Sequence, residues 1–93
     1  MARLSDAEIL RSPGELSDWK RSGNSIERTF EFPSFMRGIE FVNLVAQAAE
    51  TADHHPDVDI RYTKVVIKLS SHDAGGVTSR DIKLARKIDE LAR

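Results

Sequence analysis

The sequence predicts an α+β fold in which helices pack on one face of a four-stranded antiparallel sheet. Residues 26–32 and 62–69 alternate apolar and polar side chains with a period of two, as strands with one buried face do. Between them, apolar residues recur at spacings of three and four over 35–49, which is typical of an amphipathic helix. Turn residues beside the strands favour hairpins, so the predicted order is α-β-β-α-β-β-α in one domain of 93 residues.

The first third of the chain is predicted to contain a short helix and two strands. Ser5-Asp6-Ala7-Glu8 has the spacing of a capping box, which marks a helix start, and Pro13-Gly14 would end that helix. A first strand is expected from Leu16 to Lys20, followed by a hairpin turn into the second strand. Arg28 interrupts the apolar face of the second strand. Its guanidinium is expected either to reach water near the strand end or to pair with a carboxylate across a subunit contact.

The central helix is predicted to start at Pro33-Ser34 and to unwind ahead of Pro56. Proline is tolerated in a first helical turn and serine can cap it, whereas a residue that precedes proline is disfavoured in helical geometry. The last turn should therefore open around His54 and His55. The apolar arc of this helix is wider than one sheet face needs, which favours a homodimer or homotetramer. The arc consists of Phe35, Met36, Ile39, Phe41, Val42 and Leu44.

The second half of the chain is predicted to contain two strands, a loop and a helix. A short extended segment at 57–60 precedes the strand at 62–69. The loop at 70–76 contains two glycines, which allow positive φ angles and a close approach of the backbone to a ligand. Thr78-Ser79-Arg80-Asp81 has capping-box spacing and begins the last helix. The apolar face of that helix consists of Ile82, Ala85, Ile88 and Leu91.

Composition excludes several classes of function. The chain has no cysteine, so a disulfide framework, a thiolate nucleophile and a cysteine-based metal site are ruled out. No apolar run is long enough to span a bilayer, and the first residues lack the apolar segment of a signal peptide. The net charge of −1 leaves no bulk field for nucleic acid or anionic lipid, and acids are interspersed among the basic residues of the last third. We expect a cytoplasmic protein that binds neither nucleic acid nor membrane.

All three histidines lie between residues 50 and 81. Because an imidazole can give or take a proton near neutral pH, this concentration suggests acid–base chemistry. Glu50 precedes His54 by four residues, so a hydrogen bond between them could hold the imidazole. His55 should point elsewhere unless the last helical turn unwinds, and His72 can join them only if the sheet brings its loop to the helix end. Two other interpretations stay open: polar residues at the surface or a helix end, and a three-histidine zinc site.

Three neighbouring residues have structural interpretations that compete with functional ones. Asp81 can close the cap of the last helix. Tyr62 is expected to be a packing residue rather than a proton donor. Pro56 is expected to fix the turn that presents the histidines.

The spacing of these residues resembles a known family signature. Glu50 is followed after three residues by His54-His55-Pro56, after five more by Tyr62, after nine by His72 and after eight by Asp81. This pattern is similar to that of the pterin-4a-carbinolamine dehydratases. The similarity covers about residues 16–92, since it extends to Trp19, the alternation at 26–32, the Ser70-Ser71-His72 run and the Leu84-Ala85-x-x-Ile88 tail.

The resemblance implies a small α+β enzyme with a defined reaction. The family dehydrates 4a-hydroxytetrahydropterin, the product of pterin-dependent aromatic amino acid hydroxylases, to quinonoid dihydropterin and water. It needs no cofactor and no metal, and its members are commonly dimers or dimers of dimers. The alternative function is a non-enzymatic interaction module of the same fold, either a dimerisation partner of transcription factors or an assembly chaperone.

The resemblance also assigns roles to individual residues. It implies proton transfer by His54 and His72, substrate binding mainly by His55, and orientation of His54 by Glu50. Further substrate contacts are expected from Pro56, Ser71, Asp73 and Ala74, and a supporting role from Tyr62, Asp81 and Trp19. Ser71 and Ala74 stand where some relatives carry threonine and cysteine, so the finer substrate contacts differ from those relatives.

Overall fold

The structure is a computed structural model that describes residues 16–93. Its sheet contains β1 (Lys20–Ser22), β2 (Ser25–Glu31), β3 (Asp57–Arg61) and β4 (Lys64–Leu69), and its helices are α1 (Phe35–Ala52) and α2 (Ser79–Leu91). All strand pairs are antiparallel, in the spatial order β1-β2-β4-β3. The predicted α+β class and the element order after the first helix are confirmed. The helix predicted at Ser5-Asp6-Ala7-Glu8 lies outside the described residues.

The core lies between the two helices and one face of the central strand pair. Val65, Ile67 and Leu69 of β4 are fully buried, while the alternate residues of that strand point away from the core, as a period-two strand requires. On β2, Phe30 lies opposite Val65 in the strand register, and Ile26 lies opposite Leu69. Both helices contribute apolar side chains to this same cluster, so they cover a single face of the sheet.

The start of the sheet differs from the prediction. Residues 16–20 were expected to form a strand, but β1 begins only at Lys20. The preceding residues form a helical turn closed by a 3.0 Å hydrogen bond from the Trp19 amide to the Leu16 carbonyl. This turn buries both the Leu16 and the Trp19 side chains. The apolar pattern correctly indicated burial, but burial of two side chains three residues apart suits a turn better than a strand.

The β3–β4 hairpin corrects two predictions about Tyr62. The strand expected from residue 62 begins at Lys64, because Tyr62 and Thr63 form the two-residue turn. Tyr62 adopts a φ of 53°, in the left-handed region that short hairpin turns require. Its side chain is 76% exposed, so it does not pack within the described part of the subunit. The turn lacks the asparagine or glycine that usually signals this geometry.

Arg28 pairs with a carboxylate, as one of its two expected positions required, but this carboxylate belongs to the same subunit. Its Nη1 donates to Asp89 Oδ1 at 2.8 Å, and its guanidinium lies 4.3 Å from the centroid of the Phe30 ring. Asp89 Oδ1 also accepts a 2.9 Å hydrogen bond from Trp19 Nε1. We call Trp19, Arg28 and Asp89 the Asp89 cluster. It joins the sheet to the last turns of α2 within one subunit.

Helix α1 begins and ends as predicted. Ser34 caps it, since its Oγ accepts a hydrogen bond from the Arg37 amide. The helix ends at Ala52, and Asp53 adopts a left-handed φ of 50° that turns the chain before His54. Within residues 16–93, no helix is both long and apolar enough to cross a bilayer.

Candidate active site

The strand register brings the two histidine-bearing segments to the same end of the β3–β4 hairpin. Asp57 at the start of β3 pairs with Lys68 near the end of β4. The segment that precedes β3 contains His54 and His55, and the segment that follows β4 leads to His72. Antiparallel pairing therefore brings the backbone of these segments, distant in sequence, to one edge of the sheet.

A buried aspartate connects this edge to α2. Asp81 is fully buried, and its Oδ1 lies 2.6 Å from Nε2 of His54. Its Oδ2 accepts hydrogen bonds from Ser71 Oγ at 2.9 Å and from the Thr78 amide at 2.8 Å. The hydroxyls of Ser71 and Thr78 lie 2.8 Å apart. We call these four residues, Asp81, His54, Ser71 and Thr78, the Asp81 network.

The Asp81 network fixes the orientation of the His54 ring. Its side chain is only 10% exposed, and Nε2 is engaged by the carboxylate. Because Asp81 already accepts two other hydrogen bonds, it favours the His54 tautomer that carries its proton on Nε2. Nδ1 is then the unprotonated ring nitrogen and can accept a proton. The same aspartate completes the capping box of α2, so the structural interpretation of Asp81 is confirmed.

The predicted Glu50–His54 hydrogen bond is wrong. Glu50 Oε2 instead lies 2.5 Å from Nε2 of His55, and both side chains are more than half exposed. The expected spacing of four residues assumed a continuous helix, but the left-handed Asp53 breaks it. The helix end thus directs His54 toward α2 and His55 toward Glu50.

His72 lies on a tight turn beside the Asp81 network. It begins a 3₁₀ turn, His72–Ala74, directly after Ser71, and its carbonyl accepts a hydrogen bond from Gly75, whose φ is 72°. The His72 side chain is exposed. Asp73 in the same turn accepts a 2.6 Å hydrogen bond from Arg80 Nη2, and this bond lowers the pKa of Asp73. The predicted glycine-containing loop is therefore confirmed, and α2 braces it through Arg80.

Two of the cavities formed by the described residues lie beside these histidines. The larger, about 640 Å³, lies between α1 and α2 and has His54 and Arg80 in its lining. The smaller, about 320 Å³, is lined in part by Glu50, His55 and Pro56. His54 and His55 therefore line different cavities, and His72 is in the lining of neither. A single concave site containing all three histidines stays a prediction.

Sequence reasoning missed several residues of the site. The capping-box pattern identified Thr78 and Asp81 only as helix caps, and it contained no signal for their link to His54. Arg80 carried no signal beyond its positive charge, yet it holds the His72 turn. Among residues 16–93, no group of three or more histidine or carboxylate side chains is placed to hold a metal ion.

Comparison with known proteins gives consistent matches. A family model described as pterin 4 alpha carbinolamine dehydratase matches residues 2–91. A curated protein from Roseiflexus sp. (strain RS-1), provisionally named pterin-4-alpha-carbinolamine dehydratase, is 55% identical over 89 residues. The alignment covers 96% of this chain and 96% of the relative. One from Nocardia farcinica with the same provisional name is 56% identical over 90 residues, with 97% of this chain and 95% of the relative covered.

Two solved structures share the fold. A crystal structure from Brucella melitensis, described as a transcriptional coactivator/pterin dehydratase, has a TM-score of 0.92 and 34% identity and covers 98% of this chain and 99% of that one. A pterin dehydratase-like protein, described as a RuBisCO assembly factor in the α-carboxysome, has a TM-score of 0.66 at 21% identity and covers 80% of this chain and 86% of that one. The second likeness concerns the fold alone.

Proposed function

The chain belongs to the pterin-4a-carbinolamine dehydratase family of hydro-lyases, and on that premise we propose that it dehydrates a 4a-hydroxytetrahydropterin by histidine acid–base catalysis. The observation that carries this proposal is the 2.6 Å contact between the buried Asp81 carboxylate and His54 Nε2. A buried acid that orients an imidazole, whose other nitrogen is left for substrate, is an arrangement suited to proton transfer.

The reaction needs one proton donor and one proton acceptor. The bond between C4a and the hydroxyl oxygen breaks, and a proton from the acid lets the oxygen leave as water. The N5–H proton passes to the base, and its electron pair forms the C4a–N5 double bond of the quinonoid dihydropterin. We assign the base to His54, because Asp81 keeps the proton on Nε2 and leaves Nδ1 to accept. His72, on the neighbouring turn, is the assigned acid.

The remaining residues hold the substrate and the catalytic groups. Ser71 and Thr78 position Asp81 and therefore act through His54. Their hydroxyls are engaged with each other, so Ser71 contributes to the substrate site mainly through the turn that it starts. The amides of His72 and Asp73 are assigned to the edge of the pterin. Glu50, His55 and Pro56 line the smaller cavity and are assigned to substrate binding.

Stopped-flow dehydration of a synthetic 4a-hydroxytetrahydropterin, with and without the protein, tests this function. We expect dehydration to be faster with the protein, with a rate that rises in proportion to its concentration. A rate equal to that of the uncatalysed reaction would overturn the proposal. The interaction-module function would then be preferred. The supply of substrate by an aromatic amino acid hydroxylase and a cytoplasmic location stay predictions.

Self-association is proposed from the outer face of α1. Phe35 and Met36, at the start of α1, are 43% and 61% exposed, although they are large and apolar. An exposed apolar strip of this kind is usually covered by a partner, and we propose a homodimer or homotetramer. The same strip is the observation that favours an additional binding role. Light scattering should give a mass of two or four subunits at micromolar concentration, and Phe35→Gln with Met36→Gln should lower it. A stable wild-type monomer would contradict self-association.

A further inference from the structure

The permanently charged residues that line the larger cavity, among those the structure describes, are all basic. It runs between the C-terminal half of α1 and the length of α2, from His54 beside the first turn of α2 to Leu91 at its last residue. Arg80, Lys83 and Lys87 of α2 line it, and among residues 16–93 no aspartate or glutamate does. The rest of the lining is mostly small or apolar. It consists of Leu44, Gln47, Ala48, Thr51, Ala52 and Leu84.

The three cations are only partly neutralised by neighbouring carboxylates. Arg80 is bonded to Asp73 through Nη2, but its Nε is buried and has no hydrogen-bond partner among the described residues. Lys87 approaches Glu90 no closer than 4.0 Å. Lys83 makes no hydrogen bond or ion pair within residues 16–93. The wall formed by α2 therefore keeps positive charge facing an apolar hollow.

The position of these cations relates them to the proposed reaction. Asp81 in the first turn of α2 holds His54, which lines the same cavity. Residues 80, 83 and 87 lie on one side of the helix, and seven residues of helix rise about 10 Å. If a pterin ring binds beside His54, a side chain that extends from it along α2 can reach Lys83 and Lys87. A volume of about 640 Å³ is adequate for such a side chain.

We propose that this cavity binds the side chain of the pterin substrate, and that the preferred side chain ends in a carboxylate or a phosphate. The inference rests on the proposed function, and it adds a substrate class to it. The apolar floor would cover the body of the side chain, and Lys83 and Lys87 would pair with its anionic end. Carboxylate and phosphate share this chemistry, so the ligands tested must separate them.

Calorimetric binding of three unreactive ligands tests the proposal. They are 7,8-dihydrobiopterin with a neutral side chain, 7,8-dihydrofolate with a carboxylate-bearing one, and 7,8-dihydroneopterin monophosphate with a phosphate. At least one anionic ligand should bind about tenfold more tightly than the neutral one, as expected for a charge-assisted contact. The ratio should shrink when salt is raised from 50 to 500 mM. A preference for one anionic ligand identifies its class, and equal gains indicate a general anion site.

Lysine variants test whether the preference for anionic ligands depends on the α2 side of the cavity. Lys83→Gln and Lys87→Gln should each reduce the ratio of neutral to anionic dissociation constants about three- to tenfold. Lys64→Gln is the matched control, because Lys64 is an exposed lysine at the opposite end of the β3–β4 hairpin and should leave that ratio unchanged. Equal affinity for all three ligands, or a ratio that survives both α2 substitutions, would overturn the proposal.

The binding and kinetic experiments together distinguish failure of the side-chain site from failure of the proposed enzymatic function. If the anionic preference is present but stopped-flow dehydration is not accelerated, the side-chain site stands as a ligand site and the enzymatic function falls. If dehydration of a carbinolamine with a neutral side chain is accelerated without any anionic preference, the function stands and this inference falls.

Discussion

The two ends of α2 each bury one aspartate, and the two carboxylates are held in different ways. Asp89, in the last turns, is paired with Arg28, a permanent cation, and with Trp19. Its Oδ2 finds no hydrogen-bond partner within the described residues. Asp81, in the first turn, has donors on both oxygens, and one of them is an imidazole that can exchange protons. The Asp89–Arg28 ion pair holds secondary-structure elements together, whereas a carboxylate that contacts a histidine, as Asp81 contacts His54, can support proton transfer.

The largest effects should come from the histidines themselves. His54→Ala and His72→Ala should each lower kcat about 10²- to 10⁴-fold, the usual contribution of a positioned base or acid. His55→Ala is the comparison variant, and its defect should appear chiefly in KM. Stopped-flow kinetics on the three variants check this. A His54 variant with nearly full kcat, or a His55 variant with the largest loss, would contradict the assignment.

Asp81→Asn should show that this end of α2 acts through the tautomer of His54. If the asparagine carbonyl keeps the Thr78 amide, its NH₂ group faces Nε2 and forces that nitrogen to accept, which places the proton on Nδ1. The base would then be lost with the ring still in place, and kcat should fall about 10²-fold or more with little change in KM. Combining Asp81→Asn with His54→Ala should cost little beyond His54→Ala alone, because both changes remove the same base. If the kcat loss of the double variant equalled the product of the two single losses, a shared role of Asp81 and His54 would be contradicted.

Asp89→Asn should lower the stability of the fold and leave kcat unchanged, unlike Asp81→Asn. It removes the charge pairing with Arg28 but keeps an acceptor for Trp19, so the expected loss is about 1–3 kcal/mol of unfolding free energy. Urea denaturation measures that loss, and kcat of the folded fraction should stay at the wild-type value. A fall in kcat comparable to that of Asp81→Asn would remove the distinction between the two aspartates.

The smallest effect should come from the exposed Asp73–Arg80 pair, and it should depend on pH. The Arg80 hydrogen bond lowers the pKa of Asp73 below its usual value of 3.8. A carboxylate with a lowered folded-state pKa stabilises the fold above its unfolded pKa and loses this contribution as pH falls through the folded value. Asp73→Asn should therefore be slightly less stable than wild type at pH 7, and the difference should shrink as pH falls below about 4 and through the lowered pKa of Asp73. Urea melts at both pH values check this, and a difference that persists at low pH would argue for another cause.

Features that depend on local sequence were predicted, and features that depend on distant contacts were not. The second strand, the Ser34 cap and the Thr78–Asp81 capping box follow from neighbouring residues and are confirmed. The Arg28–Asp89 pair joins residues 61 apart, and the His54–Asp81 contact joins residues 27 apart. Such pairs depend on how the sheet and helices pack, which one sequence does not reveal.

The errors at Glu50 and at the first strand have a shared physical cause. Both predictions extended a regular element by a few residues, through Asp53 in one case and through Leu16–Trp19 in the other. In both places the chain instead forms a turn, which tertiary packing selects over the local preference. The family signature placed the site residues in one region of the sequence, but it left their pairing undetermined. Glu50 and Asp81 were both named, yet which of them holds His54 required the structure.

The double use of Asp81 has a consequence for incompletely folded molecules. The carboxylate that closes the first turn of α2 also sets the His54 ring, so fraying of that turn would release the imidazole at the same time. Hydrogen exchange at the Asp81 and Ile82 amides, which bond back to the Thr78 carbonyl, would report the opening directly. Opening of the first turn of α2 and loss of the His54 orientation would therefore be a single event.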